Sequence, residues 1–249
     1  MLTFLIPTAK ELNQPKTAQA GHLPKGMPAV LHTLAAQSPA QLATALKLTP
    51  QAAQAELARF QAIKQEKACV SPAFELFNGL MYRSLGRDSL TAGQLNYLTQ
   101  QVFITSALYG IIPFDYPIAP YRLDFHSSIN ITGKSLKLYW RPFYDRFAHD
   151  HANAPIISLL SSEFTQVFSK GGQENWLQIA FKEETAGQLK THSTISKKAR
   201  GAFLQACAKA NCQTPEDLKN LNFDGFHWQA ELSTAQLFTY VKKNCPANH

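Results

Sequence analysis

Acidic residues and cysteines are both scarce in this chain of 249 residues. Aspartate and glutamate number 17 against 24 lysines and arginines, so the formal net charge is +7 at pH 7. A basic balance of this size indicates anionic partners such as nucleic acid, nucleotides or an acidic surface, without choosing among them. Four cysteines are too few for a disulfide framework, so we expect reduced thiols and a cytoplasmic location.

Long apolar runs and the standard catalytic motifs are also missing. The apolar start Met1–Ile6 ends at Pro7 and follows no basic segment, which predicts a first strand and not a signal peptide. No run approaches the roughly 18 apolar residues of a membrane helix, so no membrane partner is expected. The patterns G-x-S-x-G, C-x-x-C and H-E-x-x-H do not occur. The residues Ile131–Ser135 look like the end of a P-loop, but Ser128 stands where its first glycine is required.

No metal or cofactor is predicted. The triplet His149-Asp150-His151 consists of three side chains that can each ligate a metal ion. Neighbouring residues at the end of a helix do not face one ion, because successive side chains point in different directions. We therefore interpret the triplet as a solvated helix end.

The pattern of apolar residues predicts an α+β fold with a mixed β-sheet and flanking helices. Hydrophobic residues make up 45% of the chain and charged residues 16%, so the chain can bury a real core, and we predict a single domain over residues 1–249. Apolar runs and period-two alternation predict five strands, which are Met1–Ile6, Pro155–Ser161, Trp176–Glu183, Leu189–Ile195 and Ala235–Val241.

Cap signatures predict the helices. Ser38-Pro39 and Thr49-Pro50 each place a capping residue before a proline at the first helical position. They predict an inserted helical hairpin over about residues 38–63, which resembles nucleic-acid-binding hairpins but lacks glycine in its turn. Four more helices are predicted: Ser71 to Leu85, Thr91 to Val102, Leu136–His149 and a short one from Thr214. The proline-rich segment Tyr109–Leu123 predicts an ordered loop.

A window from Thr185 to Pro215 has no acidic residue and five basic ones, which are Lys190, Lys197, Lys198, Arg200 and Lys209. The strand ending at Ile195 and the alanine-rich Ala199–Ala210 predict a strand-to-helix junction with Ser196 as the N-cap. Three of the cations would then lie in the first helical turn, where the helix macrodipole disfavours positive charge. A bound anion would explain them; a solvated basic turn is the alternative.

Six motifs follow one another in a fixed order: Ile6-Pro7-Thr8-Ala9-Lys10, Phe77-x-Gly79-x-x-Tyr82, Leu108-Tyr109-Gly110 with Pro120-Tyr121-Arg122-Leu123, Trp140, Ser161-x-Glu163 and Lys197-Lys198-Ala199-Arg200-Gly201. Over nearly the full length they resemble the motifs of the YaaA peroxide-stress family of bacterial cytoplasmic α/β proteins. The chain departs from the family pattern at Asn78, Leu80, Pro113, Ser158 and Gln166, where several charged residues of the family are lost. The resemblance implies a basic-cleft protein that binds DNA, duplex and without sequence specificity, and limits free-iron-driven damage during peroxide stress.

The candidate site residues come from separate stretches of the chain. Phosphate binding needs only a positive concave surface, and the residues expected to provide it are Lys10, Arg122, Lys197, Lys198 and Arg200. Four aromatic residues could stack against bases or fill the core: Tyr82, Tyr109, Tyr121 and Trp140.

Two other hypotheses about the function remain open. Glu163 would be the general acid or base of an enzyme acting on a nucleotide or nucleobase, with the cations as its phosphate clamp; alternatively Glu163 pairs with Arg122 as a structural support. The chain could instead be a protein-interaction scaffold whose basic stretch serves solubility.

Overall fold

The structure is a computed structural model that describes residues 1–15, 24–185 and 187–243. Elements are numbered in chain order within these residues. The α-helices are α1 (Met27–Ala35), α2 (Pro39–Leu46), α3 (Pro50–Lys64), α4 (Ala73–Leu76), α5 (Leu80–Ser84), α6 (Ala92–Gln101), α7 (Leu136–Asp150), α8 (Ser162–Thr165), α9 (Ser193–Ala210) and α10 (Pro215–Lys219). The main sheet contains β1 (Thr3–Pro7), β3 (Val102–Ser106), β4 (Gly110–Pro113), β8 (Ile156–Ser158), β9 (Trp176–Thr185), β10 (Gln188–Lys190), β11 (Asn222–Phe223), β12 (Phe226–Trp228) and β13 (Leu237–Lys243).

The main sheet is mixed, as the sequence predicts. Its order is β11-β12-β13-β9-β8-β1-β3-β4, and β10 pairs with the end of β9. The five central strands, from β13 to β3, run parallel. Two small ladders lie outside the sheet: β2 (Ser71–Pro72) with β5 (Pro117–Ile118), and β6 (Asn130–Ile131) with β7 (Lys134–Ser135).

Helices cover both faces of the parallel strands, which buries those strands on both sides. On one face the ring of Phe4 contacts Tyr97 of α6 and Phe203 of α9. On the other face Phe103 contacts Phe147 of α7. Phe4 is paired in register with Val102, so Phe103 must point the opposite way.

The strand order creates a crevice beside β1. The chain leaves β1 toward β3 on one side, and later returns to β8 on the other side. The connections therefore diverge between β1 and β8, and in open α/β sheets ligands bind outside the carboxyl ends of the strands at such a point. The segments that follow these two strands, Thr8–Glu11 and Leu159–Glu163, meet at this edge.

The predicted helical hairpin is present as α2 and α3. Ser38 and Thr49 cap the two helices through their side chains. Between the helices Lys47 takes the left-handed conformation with φ 54°, which is the position where glycine is usual. The P-loop-like residues form the β6–β7 hairpin, with Thr132 and Gly133 at its turn.

Several element predictions were wrong. The helix expected from Ser71 to Leu85 is a short strand followed by α4 and α5, because the chain turns at Phe77–Gly79. The segment from Val102 is the central strand β3 and not the end of a helix, and Tyr109–Leu123 contains β4 and β5. The helix α1 was not predicted.

The junction before α9 also differs from the prediction. The helix begins at Ser193 with His192 as the N-cap, and β10 ends at Lys190. Ser196 is therefore inside the helix, and Lys197, Lys198 and Arg200 lie in its second turn. They are therefore not in the first turn, where the macrodipole most disfavours positive charge.

Candidate functional site

A cleft of about 520 Å³ opens at the crevice between β1 and β8. Its walls come from the segment after β1, the start of α5, the loop Tyr121–His126, the start of α8 and one face of α9. Five of the six charged residues predicted for the site line it: Lys10, Arg122, Glu163, Lys197 and Arg200. The sixth, Lys198, is exposed and does not line the cleft.

The geometry of α9 explains why neighbouring lysines differ. Residues 193, 197 and 200 are four and three positions apart, so they share one face of a helix. Ser193, Lys197 and Arg200 all line the cleft. Lys198 is rotated by about 100° from Lys197, since a helix has 3.6 residues per turn.

Arg200 is the innermost of the cations. Its guanidinium donates through Nη2 to the carbonyl oxygen of Leu160 at 3.3 Å, while its Nε is enclosed and without a hydrogen-bond partner. Burial lowers the pKa of this guanidinium. In the described part of the chain no carboxylate pairs with Arg200, Lys197 or Arg122.

Carboxylates fix the loop that carries Arg122. The backbone N–H of Arg122 donates to Oε2 of Glu56 at 2.9 Å. Glu56 lies on α3 and is 4% exposed, and its other oxygen pairs with Arg59. Burial raises the pKa of Glu56, against the opposing effects of Arg59 and the Arg122 N–H. The helical hairpin therefore holds the backbone of Arg122, and the side chain remains exposed.

Lys10 does not stand free in the cleft. Its Nζ lies 2.9 Å from Oδ2 of Asp124, and the backbone N–H of His126 donates to Oδ1 of the same carboxylate at 3.0 Å. Burial of Asp124 acts to raise its pKa, but these bonds and the charge of Lys10 outweigh it, and the pKa is lowered. Asp124 is therefore ionised at neutral pH and neutralises part of the positive charge at the mouth.

Glu163 supports the loop and faces a histidine. Its Oε1 accepts the backbone N–H of Phe125 at 3.0 Å, and its Oε2 lies 3.5 Å from Nε2 of His126. The side chain of Glu163 is 17% exposed and that of His126 is 63% exposed. The ion pair between Glu163 and Arg122, which the sequence left open as an alternative, is not formed; Glu163 holds the same loop through Phe125.

The four aromatic residues are buried supports. Tyr82 and Tyr121 border the cleft, but their hydroxyl groups are bonded internally to the carbonyl of Pro7 at 2.9 Å and to Oγ of Ser106 at 2.6 Å. Burial raises the pKa of both phenols, so they stay neutral. Tyr109 and Trp140 are 4% and 1% exposed and do not line the cleft. A base could not stack on these two rings without unfolding part of the core.

Sequence reasoning missed Asp124, His126, Glu56 and Ser193. Asp124 and His126 directly follow the Pro-Tyr-Arg-Leu motif, so their position in a predicted site loop was a usable signal. Ser193 could have been found from the helical spacing to Lys197. Nothing local marks Glu56, whose partner is 66 residues away.

A metal site is not evident. Within residues 1–15, 24–185 and 187–243 no three His, Cys, Asp or Glu side chains are grouped to hold a metal ion. His149 contacts Asp150, and His151 bonds to the carbonyl of Phe147 at 2.8 Å. Cys207 on α9 and Cys212 just beyond its end are both buried free thiols. Over the same described ranges, no helix combines the length and apolarity needed to cross a bilayer.

The fold and cleft define a mixed α/β protein with a charged crevice at the carboxyl ends of its parallel strands. A family described as peroxide stress protein YaaA matches residues 2–232. UPF0246 proteins of Streptococcus pyogenes are similar along the whole chain: those of strains SSI-1, NZ131 and Manfredo are 53%, 52% and 51% identical over 243 residues, which cover 98% of this chain and 99% of each relative. The chain belongs to the YaaA peroxide stress protein family.

Proposed function

We propose that the protein binds the phosphate backbone of duplex DNA, without sequence specificity, across the mouth of the cleft. The observation that carries the proposal is the convergence of cations from three separate stretches: Lys10, Arg122, and Lys197 with Arg200. Lysine and arginine on a concave surface are sufficient for contacts to phosphate, which carry no sequence information.

The cleft contains carboxylates as well, and the net charge available to a ligand depends on which cations they pair with. Glu11, Asp124 and Glu163 pair respectively with Arg83, Lys10 and His126. Arg122, Lys197 and Arg200 have no such partner in the described ranges, so three positive charges are left for a ligand. The overall charge of +7 favours the approach of a polyanion from a distance.

The cellular role that we propose is protection of DNA during peroxide stress, by limiting the damage that free iron drives. Membership of the peroxide stress protein family supports the setting. The proposed DNA binding would place the protein where that damage occurs.

The experiment is a salt titration of duplex binding. Fluorescence anisotropy of a labelled duplex should give an affinity that falls by about tenfold or more between 50 and 200 mM salt. Lys197→Ala should lower the slope of log affinity against log salt by about 0.9, the value for one lost phosphate contact. Lys198→Ala is the matched comparison, since it removes the same charge from the neighbouring position outside the cleft, and it should change the slope less.

Two results would contradict the proposal. One is a wild-type protein whose duplex binding is absent or independent of salt. The other is an equal loss of slope in the two lysine variants, which would place the DNA on α9 and not on the cleft. Thermal melting of both variants would establish that they are folded.

A second candidate function is an enzyme acting on a nucleotide or nucleobase, and the Glu163–His126 pair at 3.5 Å is the observation that favours it. A carboxylate and an imidazole facing one cleft can exchange a proton with a bound substrate. Wild type and Glu163→Gln should be compared on nucleosides, nucleotides and free bases. Catalysis by Glu163 predicts a rate lower by roughly two to four orders of magnitude in the variant, with the fold intact. Absence of turnover with both proteins would remove this candidate.

A further inference from the structure

The cleft has a mouth and a floor that differ in exposure. At the mouth, Lys10 is 63% exposed at its side chain, and Arg122 and Lys197 are also exposed. On the floor, Glu163 is 17% exposed and Arg200 is partly buried with an enclosed Nε. A volume of about 520 Å³ is that of a pocket for one small molecule. A duplex with all bases paired could rest on the mouth but could not reach the floor.

The donors of Arg200 call for a ligand with several acceptors. A guanidinium has five N–H donors, and in the described residues one hydrogen bond is made, from Nη2 to the carbonyl of Leu160. Keeping an arginine partly buried without a carboxylate is costly, because its charge loses water and gains little in return. An anion entering the cleft would supply the missing acceptors as charge-assisted hydrogen bonds.

The carboxylate in the same cleft narrows the choice of ligand. A bare phosphate would meet the cations but would also be repelled by Glu163. A ligand with an anion at one end and hydrogen-bond donors at the other would satisfy both groups. Nucleotides have this character, since the phosphate is an anion and the edges of the bases carry N–H donors.

We propose that the cleft binds a single nucleotide, with its base on the floor toward Glu163 and His126 and its phosphate between Arg200 on the floor and Lys197 at the mouth. The nucleotide is either free or turned out of a DNA strand; in the second case the inference rests on the proposed DNA binding, with the mouth holding the flanking phosphates. Turning a base out costs unstacking energy, which the contacts on the floor would offset.

The first measurement uses no DNA. Isothermal titration calorimetry with each of the four deoxynucleoside 5′-monophosphates should give saturable binding of at least one, tighter than that of inorganic phosphate or the matching nucleoside. Ser193→Trp places a bulky ring on the wall of the cleft at an exposed position and should weaken binding by about tenfold or more. Thr194→Trp is its control, because Thr194 is also exposed but does not line the cleft.

Arg200→Lys tests the floor directly. It keeps the positive charge but loses the forked donors, and it should weaken nucleotide binding by about tenfold or more. The variant must melt like the wild type for this result to count. If it does not fold, the comparison of Ser193→Trp with Thr194→Trp tests the inference without it.

The second measurement distinguishes the two sources of the nucleotide. A duplex with 2-aminopurine opposite an abasic site should become more fluorescent on binding if the base is turned out, and less so with Ser193→Trp. If mononucleotides bind but the 2-aminopurine fluorescence does not rise, the floor is assigned to free nucleotides. If the fluorescence rises but mononucleotides do not bind, the floor is assigned to a base turned out of DNA.

The inference would be overturned if the folded protein gave neither the calorimetric nor the fluorescence signal. It would also be overturned if inorganic phosphate bound as tightly as nucleotides, or if Ser193→Trp bound nucleotides as tightly as the wild type. Because the salt slope on intact duplex DNA is measured separately, failure of the floor and failure of the mouth can be told apart.

Discussion

Glu56 is the residue that links the helical hairpin to the cleft. It is buried, and it accepts the N–H of Arg122 while its other oxygen pairs with Arg59. Replacement by alanine would leave the N–H of Arg122 without its acceptor, at a cost of about 1–3 kcal/mol. The effect on the site would come through the position of Arg122 and not through contact with a ligand, because Glu56 does not line the cleft.

The stability of the protein should depend on pH through Glu56. Burial raises its pKa above the ordinary value of 4.5, so the folded state binds this proton more tightly than the unfolded chain does. The resulting stabilisation is fully present below pH 4.5 and is lost as the pH rises through the folded pKa. The free energy of unfolding of the wild type, relative to that of Glu56→Gln, should therefore fall as the pH rises above about 4.5.

Urea titrations of the two proteins at several pH values measure this difference. Glu66→Gln is the control, since Glu66 is exposed and its variant should show no comparable trend. A difference that is constant with pH, or that grows as the pH rises, would contradict the assignment.

At the scale of elements, the close approach of α5 and α9 positions the cleft face of α9. A Cβ atom on Gly201 would lie 2.1 Å from the carbonyl oxygen of Met81 and 2.8 Å from the N of Leu85. Both are backbone atoms, so the helices would have to separate. The glycine of the Lys-Lys-Ala-Arg-Gly motif therefore serves packing, whereas Lys197 and Arg200 of the same motif line the cleft. Gly79 is similar: its Cβ would lie 2.7 Å from Cβ of Ala9.

Gly201→Ala should lower the free energy of unfolding by about 1–3 kcal/mol or more, because the steric cost exceeds the usual gain of about 1 kcal/mol for alanine in a helix. Gly93→Ala on α6 is the matched control. Its nearest neighbour outside the helix backbone would be Oγ1 of Thr91 at 4.0 Å, so the same substitution should stabilise by about 0.4–1 kcal/mol. Denaturant unfolding of both variants measures whether each substitution raises or lowers the free energy of unfolding. Stabilisation by Gly201→Ala would disprove the close packing.

At the scale of the whole molecule, one apolar core joins the sheet to the helical hairpin. The buried cluster extends from Leu2 to Tyr240 and includes Leu57 and Phe60 of α3. Phe60 is completely buried. A hairpin that shares the core should not unfold before the rest of the chain.

Phe60→Ala should therefore destabilise the entire protein, by about 3–5 kcal/mol, in a single transition. Unfolding followed by tryptophan fluorescence, which reports on Trp140, Trp176 and Trp228 outside the hairpin, should coincide with unfolding followed by far-UV circular dichroism. An early transition seen only by circular dichroism would mean that the hairpin is an independent unit.

Prediction from sequence succeeded where the cause is local. The caps at Ser38, Thr49 and Thr91 form as predicted, because a side chain that bonds a backbone N–H three residues away needs no distant partner. The apolar run after Pro155 forms the buried strand β8 for a similar reason. Prediction failed at β3, whose apolar residues continue a helical pattern and become a strand only because β1 lies beside them.

The sequence by itself determined the family, many of the elements, the excess of positive charge and five of the charged residues that line the cleft. The tertiary structure alone decided how those residues meet. The order of strands brings Lys10 and Glu163 to one crevice, although they are far apart in the chain. It also pairs Lys10 with Asp124 and leaves Arg200 without a carboxylate in the described residues. Short-range propensities and hydrogen bonds act within a few residues, whereas the partner of a charge depends on which distant segments the sheet packs together.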